Sequence, residues 1–162
     1  MIDGEGAPAA EAGAALQQIL SFVLGDEVHG IPILHVQEIK CAPSVTTLPQ
    51  APDYVRGAMN LRGTIVPIVD LRRRFGLPPL AGGSRNVVVV VNVRDRVVGL
   101  IVDSVSEVVD VRPEQVVAVP ELAGAAGVSL LAGMAKLDDR LIPILALEPV
   151  VGLAAEVIGL AA

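Results

Sequence analysis

Apolar runs of about seven residues, each followed by a short polar or glycine-containing turn and a second apolar run, recur four times along this chain. Gln18–Leu24 and Val28–Leu34 flank Gly25-Asp26-Glu27, and Val55–Leu61 and Thr64–Asp70 flank Arg62-Gly63. Val87–Val93 and Val97–Asp103 flank Arg94-Asp95-Arg96, and Leu130–Leu137 and Arg140–Leu147 flank Asp138-Asp139. Runs of that length with that punctuation predict β-hairpins. A lone strand is expected after the first hairpin of each half, near Val45–Leu48 and Val116–Val119.

The two halves resemble each other. A shift of 76 (133 − 57) lays Gly57 on Gly133, Leu61 on Leu137, Pro67 on Pro143, Ile68 on Ile144 and Leu71 on Leu147. A shift of 69 (99 − 30) lays Gly30 on Gly99, Val36 on Val105, Glu38 on Glu107 and Asp26 on Asp95. The seven-residue difference falls between Val108 and Leu130, in a Gly/Ala-rich stretch. Duplication of a small five-stranded unit explains these coincidences: an all-β protein of two barrel-like subdomains, about 16–80 and 85–150, joined near Leu80–Ser84. Residues 1–15 read as a disordered tail and 152–162 as a C-terminal tail. Proline has no N–H for a neighbouring strand, so Pro67 and Pro143 should lie at an edge or a bulge. Val87–Val91 is apolar on both faces of its pleat, so this strand should be covered on both.

Composition narrows the function. With 162 residues, 52% of them hydrophobic and only 2% aromatic, the core must be aliphatic. A formal charge of −6 argues against nucleic acid as principal partner, and the scarce aromatics offer no stacking platform for single strands. The single cysteine, Cys41, cannot form an internal disulfide and fits a reducing compartment. The acidic start Met1-Ile2-Asp3-Gly4-Glu5 does not read as a secretion signal, and no uncharged stretch is long enough to span a bilayer as a helix, so direct membrane insertion is not expected.

Catalytic chemistry finds no support. His29, His35 and Cys41 are spaced six and six, unlike common zinc patterns, and lack a fourth ligand. Neither a phosphate-binding glycine loop nor a G-x-S-x-G nucleophile motif occurs. No catalytic residue, metal or cofactor is assigned. The arginines are more informative. Arg56, Arg62, Arg72, Arg73 and Arg74 cluster around one acid, Asp70. The 72–74 run reads as a solvated cap. Arg62 sits on a hairpin tip where Asn or Asp would serve the turn better, which points to a local clamp or a partner contact.

These same residues carry a family resemblance. Leu61-Arg62-Gly63-Thr64-Ile65-Val66-Pro67-Ile68-Val69-Asp70-Leu71-Arg72, with Val55-Arg56-Gly57 before it and Phe75-Gly76-Leu77 after, resembles the central motif of CheW-type coupling proteins. Ile33–Ile39 and Val97–Val105 resemble the first-half and second-half motifs of that family, and the likeness runs from about Gln17 to Val151. It implies two intertwined SH3-like five-stranded barrels on a shared hydrophobic interface. It further implies a non-enzymatic cytoplasmic adaptor, recruited to membrane-bound receptor arrays, that couples chemoreceptor cytoplasmic tips to the regulatory domain of a CheA-type histidine kinase in chemotaxis. Val36, Glu38, Gly57 and Arg62 would then belong to the receptor side, with Glu38 paired to Arg62. Kinase contacts would fall loosely on Val87, Val89, Val91, Val98 and Leu100. Pro32 and His35 depart from the family pattern, which has an acidic or polar residue and a lysine-like one there. A similar adaptor in surface motility or biofilm signalling, and a tandem β-barrel binding RNA or a small ligand, are the competing readings.

Overall fold

A computed structural model describes residues 17–41, 43–78, 87–117 and 130–152. The four predicted hairpins are present: β1 (Gln17–Leu24) with β2 (Glu27–Pro32), β4 (Val55–Leu61) with β5 (Thr64–Asp70), β6 (Val87–Val93) with β7 (Arg96–Val102), and β10 (Leu131–Leu137) with β11 (Arg140–Leu145). Two of the predicted runs end early. The first hairpin stops at Pro32, after which Ile33–His35 form a 3-10 turn, and the last gives way to a short helix at Leu147–Val151. Of the two lone strands, one is β9 (Val116–Val117) and the other is a single bridge, Thr46 to Ala58. The expected tails, the Leu80–Ser84 joint and most of the Gly/Ala-rich stretch lie outside the described residues.

Two strands were not predicted, and they decide the architecture. β3 (Val36–Cys41) and β8 (Ser104–Val111) follow the first hairpin of each half and pair with the opposite half. One sheet therefore runs β3-β6-β7-β5-β4 and the other β8-β1-β2-β11-β10-β9. Each repeat lends its first hairpin to the other, so the 16–80 and 85–150 division describes the duplication but not the sheets. The exchange obeys the internal symmetry: the parallel contact Ile68 to Gly99 in one sheet is Ile144 to Gly30 in the other.

Three cores follow from this arrangement. Met59, Leu61, Val66, Ile68, Val88, Val90 and Ile101, all from the first sheet, form one cluster. Ile19, Val111, Ala135, Ile142 and Ile144 form its counterpart in the second. A sheet that buries a cluster made only of its own residues must curl around it, as a small barrel does. The third and largest core, around Phe22, Ile31, Val89, Val91, Leu100 and Leu145, draws on both sheets and joins them. The valine run of β6 is buried on both faces, with Val88 and Val90 in the inner cluster and Val89 and Val91 in the joint.

The prolines sit elsewhere than expected. β5 and β11 are interior strands, and Pro67 and Pro143 lie one residue before the parallel contacts at Ile68 and Ile144. Pro67 faces Ala58, whose N–H and carbonyl both turn away to Thr46 at 2.8 Å. On the β4 side, therefore, no strand asks Pro67 for the hydrogen it lacks, and on the β7 side the parallel register begins only at Ile68 and Gly99.

The arginine run is likewise not a solvated cap. A short helix, α1 (Leu71–Arg74), starts on Asp70, which is buried, caps the Arg72 N–H at 3.0 Å and accepts from Arg56 Nη2 at 2.8 Å. Arg73 donates to the Asp53 carbonyl at 3.2 Å. Arg74 donates to the carbonyls of Pro149 and Val150 on α2 (Leu147–Val151), and its guanidinium lies 4.4 Å from the Tyr54 ring centroid. Arg72 grips Asp103 through Nε at 2.8 Å and Nη2 at 2.7 Å, and Asp103 in turn accepts the Gly25 N–H at 2.8 Å. The run is thus a seam that ties α1 to α2 and to the tip of the β1–β2 hairpin.

Arg72 holds the Asp103 carboxyl below the usual carboxylate range, with the Gly25 N–H adding to the effect. The unfolded chain therefore takes up this proton before the folded one, so the seam contributes fully above about pH 4 and is lost as pH falls through the lower folded value. Asp103→Asn is expected to lower the urea midpoint at pH 7 and to flatten the loss of stability as pH falls below about 4. Parallel acid limbs for the two proteins would contradict this role.

Candidate functional site

The β4–β5 turn takes Arg62 and Gly63 through positive φ, +51° and +87°. Two successive left-handed residues are what a tight hairpin turn requires, and Arg is a costly choice for the first of them. Asn60 supports the tip by accepting the Gly63 N–H on Oδ1 at 2.8 Å. The local backbone does not explain the arginine. Its side chain does: Nη1 and Nη2 reach Oε2 and Oε1 of Glu38 at 2.7 and 3.1 Å, the bidentate pair anticipated from the resemblance. Lys40 Nζ adds a longer contact to Oε1 at 3.7 Å. The hydrogen-bonded guanidinium holds the Glu38 carboxyl below the usual carboxylate range, and the same bond raises Arg62 further.

The position of this pair in the sheet gives it a mechanical meaning. β3 and β4 are the two ends of the five-stranded order, so Glu38 and Arg62 tie one end of the curled sheet to the hairpin at the other. The second sheet repeats the device. Glu107, the counterpart of Glu38, accepts from Arg140 Nη2 at 3.3 Å, with the arginine two residues beyond the Asp138 that matches Arg62. Exposed apolar side chains recur in the same register: Ile39 (42% exposed) matches Val108 (48%), and Ile65 (50%) matches Leu141 (54%). Leu34, on the 3-10 turn before β3, is 90% exposed.

A bulge between Val36 and Glu38 separates the remaining predicted residues. Val36 stands opposite Val91 and packs against the joint core, whereas Glu38 stands opposite Val90 and turns toward the hairpin tip. Gly57 is buried on β4, where a Cβ would lie 2.1 Å from the Thr46 carbonyl oxygen. Its place is structural: it admits the bridging segment at Thr46, as Gly133 admits β9. Structure brings Glu38 and Arg62 together; Val36 and Gly57 support the strands that carry them.

The residues assigned to a kinase contact need correcting. Val89, Val91, Val98 and Leu100 are fully buried in the joint core, and Val87 packs partly buried against it, so the first four cannot touch a partner. Their apolar character reflects burial between two sheets. Among the described residues, the exposed large apolar positions of the second repeat are Val108, Val116, Val117 and Leu141 instead. Alternation within β8 and the repeat itself carried the signal for Val108 and Leu141. Among the described residues, no group of His, Cys, Asp and Glu is placed to hold a metal ion, and no helix is long and apolar enough to cross a membrane.

Residues 18–154 match the model of the CheW-like domain. The chain is 41% identical over 132 residues to the chemotaxis protein CheW of Klebsiella aerogenes, covering 82% of this chain and 80% of that one. To the chemotaxis protein CheW of Helicobacter pylori it is 34% identical over 133 residues, covering 82% and 80%. The crystal structure of the scaffolding protein TtCheW from Thermoanaerobacter tengcongensis superposes with a TM-score of 0.76 at 31% identity, covering 84% of this chain and 92% of that one.

Proposed function

The chain belongs to the CheW-like family, and from that premise we propose that it is a non-enzymatic adaptor of chemotaxis signalling, bridging the cytoplasmic tip of a chemoreceptor and a CheA-type histidine kinase. The family match over residues 18–154 carries this reading. The surface accords with it: charged clamps and exposed apolar side chains recur on both sheets, the material of a docking face with an apolar centre and a polar rim. Such an adaptor performs no bond chemistry. It binds two partners at once, and their conformational equilibria become linked through the shared body. It acts in the cytoplasm at membrane-bound receptor arrays.

On the receptor side we place the face closed by Glu38 and Arg62, with Val36 and Gly57 shaping it from beneath. Kinase contacts are moved from the buried β6–β7 strands to the exposed second-repeat positions Val108, Val116, Val117 and Leu141. Arg62→Ala separates a docking role from a folding one. An exposed ion pair contributes little to stability, so the urea midpoint should hardly move. Affinity for a receptor tip fragment, measured by titration calorimetry, should fall roughly tenfold or more if the guanidinium reaches the partner. Unchanged affinity would leave Arg62 as a barrel clamp alone. A kinase regulatory domain that fails to bind the unaltered chain would sink the adaptor reading.

A further inference from the structure

His29 is spent on neither the clamps nor the arginine seam, yet it is one of the few polar side chains buried among the described residues, at 5% exposure. Its ring stands opposite Phe22 across the β1–β2 ladder, stacked at 5.9 Å between centroids with 20° between planes. Phe75, at the end of α1, leans on it from 5.6 Å. Phe22 belongs to the joint core and Phe75 packs against that core, so the imidazole is the middle of three rings running from one sheet to the helix of the other. Nδ1 is buried and has no hydrogen-bond partner. Nε2 faces Glu27 of its own strand at 3.6 Å.

We propose that His29 is a proton-sensitive latch between the β1–β2 hairpin and the end of α1, closed while its ring is neutral and loosened when it takes up a proton. A neutral imidazole can leave Nδ1 as a bare lone pair between aromatic rings at modest cost. An imidazolium must place an N–H there with no acceptor and hold its charge out of water, a cost that attraction to the two ring faces offsets only in part. The neighbours offer little relief. β1 contributes Phe22 and the α1 end contributes Phe75, neither of which titrates. Among the described residues, Glu27 is the one charged group acting on the ring, and its carboxylate is largely in water, where attraction is screened. Burial accordingly outweighs Glu27 and pushes the imidazole below its ordinary 6.5.

The consequence has a definite sign. As pH drops below 6.5 the unfolded chain takes up a proton that the folded chain refuses, so stability falls until the lower folded value is passed. The test uses the full chain. His35→Gln leaves one imidazole, whose Cε1–H resonance is then followed by NMR from pH 8 to pH 4.5. The resonance should titrate with a midpoint below that of a free histidine, and the Phe75 ring resonances should shift with the same midpoint while those of the β4–β5 turn at Arg62 and Gly63 stay put. In urea, the folding equilibrium constant should decline by up to about tenfold per pH unit below pH 6.5, a slope missing in His29→Phe. An ordinary or raised midpoint, Phe75 signals that do not follow, or an undiminished slope in His29→Phe would each overturn the latch. Should His29→Phe fail to fold, the two resonance measurements decide on their own.

Discussion

Phe22→Ala is expected to cost about 3–5 kcal/mol of folding stability, a large share of the whole for a domain of this size. Phe22 heads the fully buried side chains and is one of only two phenylalanines in the chain, the other, Phe75, packing half-buried against the same largely aliphatic core. It lies on β1 between β8 and β2, in the core that joins the sheets, and it supports the His29 ring. Its removal leaves a void that stiff β-branched neighbours cannot collapse to fill. Phe22→Leu, which keeps most of the volume, should recover more than half of the loss. Urea unfolding of both variants checks the pair, and a cost below about 1 kcal/mol for the alanine would mean that the joint is not tightly packed there.

Gly57→Ala should lower stability by about 3 kcal/mol, since the added methyl would meet rigid backbone. Its Cβ would lie 2.1 Å from the Thr46 carbonyl oxygen and 2.7 Å from the carbon, at a φ of +156° that other residues seldom adopt. The strand cannot yield without breaking the two 2.8 Å hydrogen bonds between Thr46 and Ala58. Amide exchange at these two residues should therefore speed up first. Any weakening of receptor binding in this variant should come with the stability loss, in contrast to Arg62→Ala, where binding alone should change. Gly57→Ala with native stability and weakened binding would restore the glycine to the contact surface.

The hairpins were legible because their apolar runs and turns are local signals. The two strands that cross between repeats were not. β3 and β8 carry charges at Glu38, Lys40, Glu107 and Asp110, each is bulged against its partner, and even the nearest paired residues, Cys41 and Val87, are 46 positions apart along the chain (87 − 41). Distance also hid the meaning of Arg72 and Arg74, whose acceptors are 31 and 76 residues distant in Asp103 and Val150. A run of like charges judged by its neighbours alone looks solvated. For the site, the family motif identified the Glu38–Arg62 pair, whereas Val89, Val91, Val98 and Leu100 illustrate the opposite hazard. Apolar residues on a central strand look like docking material until the second sheet is seen to cover them.

The traded hairpins have a bearing on how this protein can be dissected. Cutting the chain at the repeat boundary would not release two working modules: the front piece would carry β1 and β2 without the strands beside them, and the rear piece β6 and β7 likewise. Both would expose ladders of unsatisfied amides and long valine-rich flanks, the conditions for clumping. Point substitutions in the intact polypeptide, rather than halves expressed alone, are the instrument suited to assigning partners to its two faces.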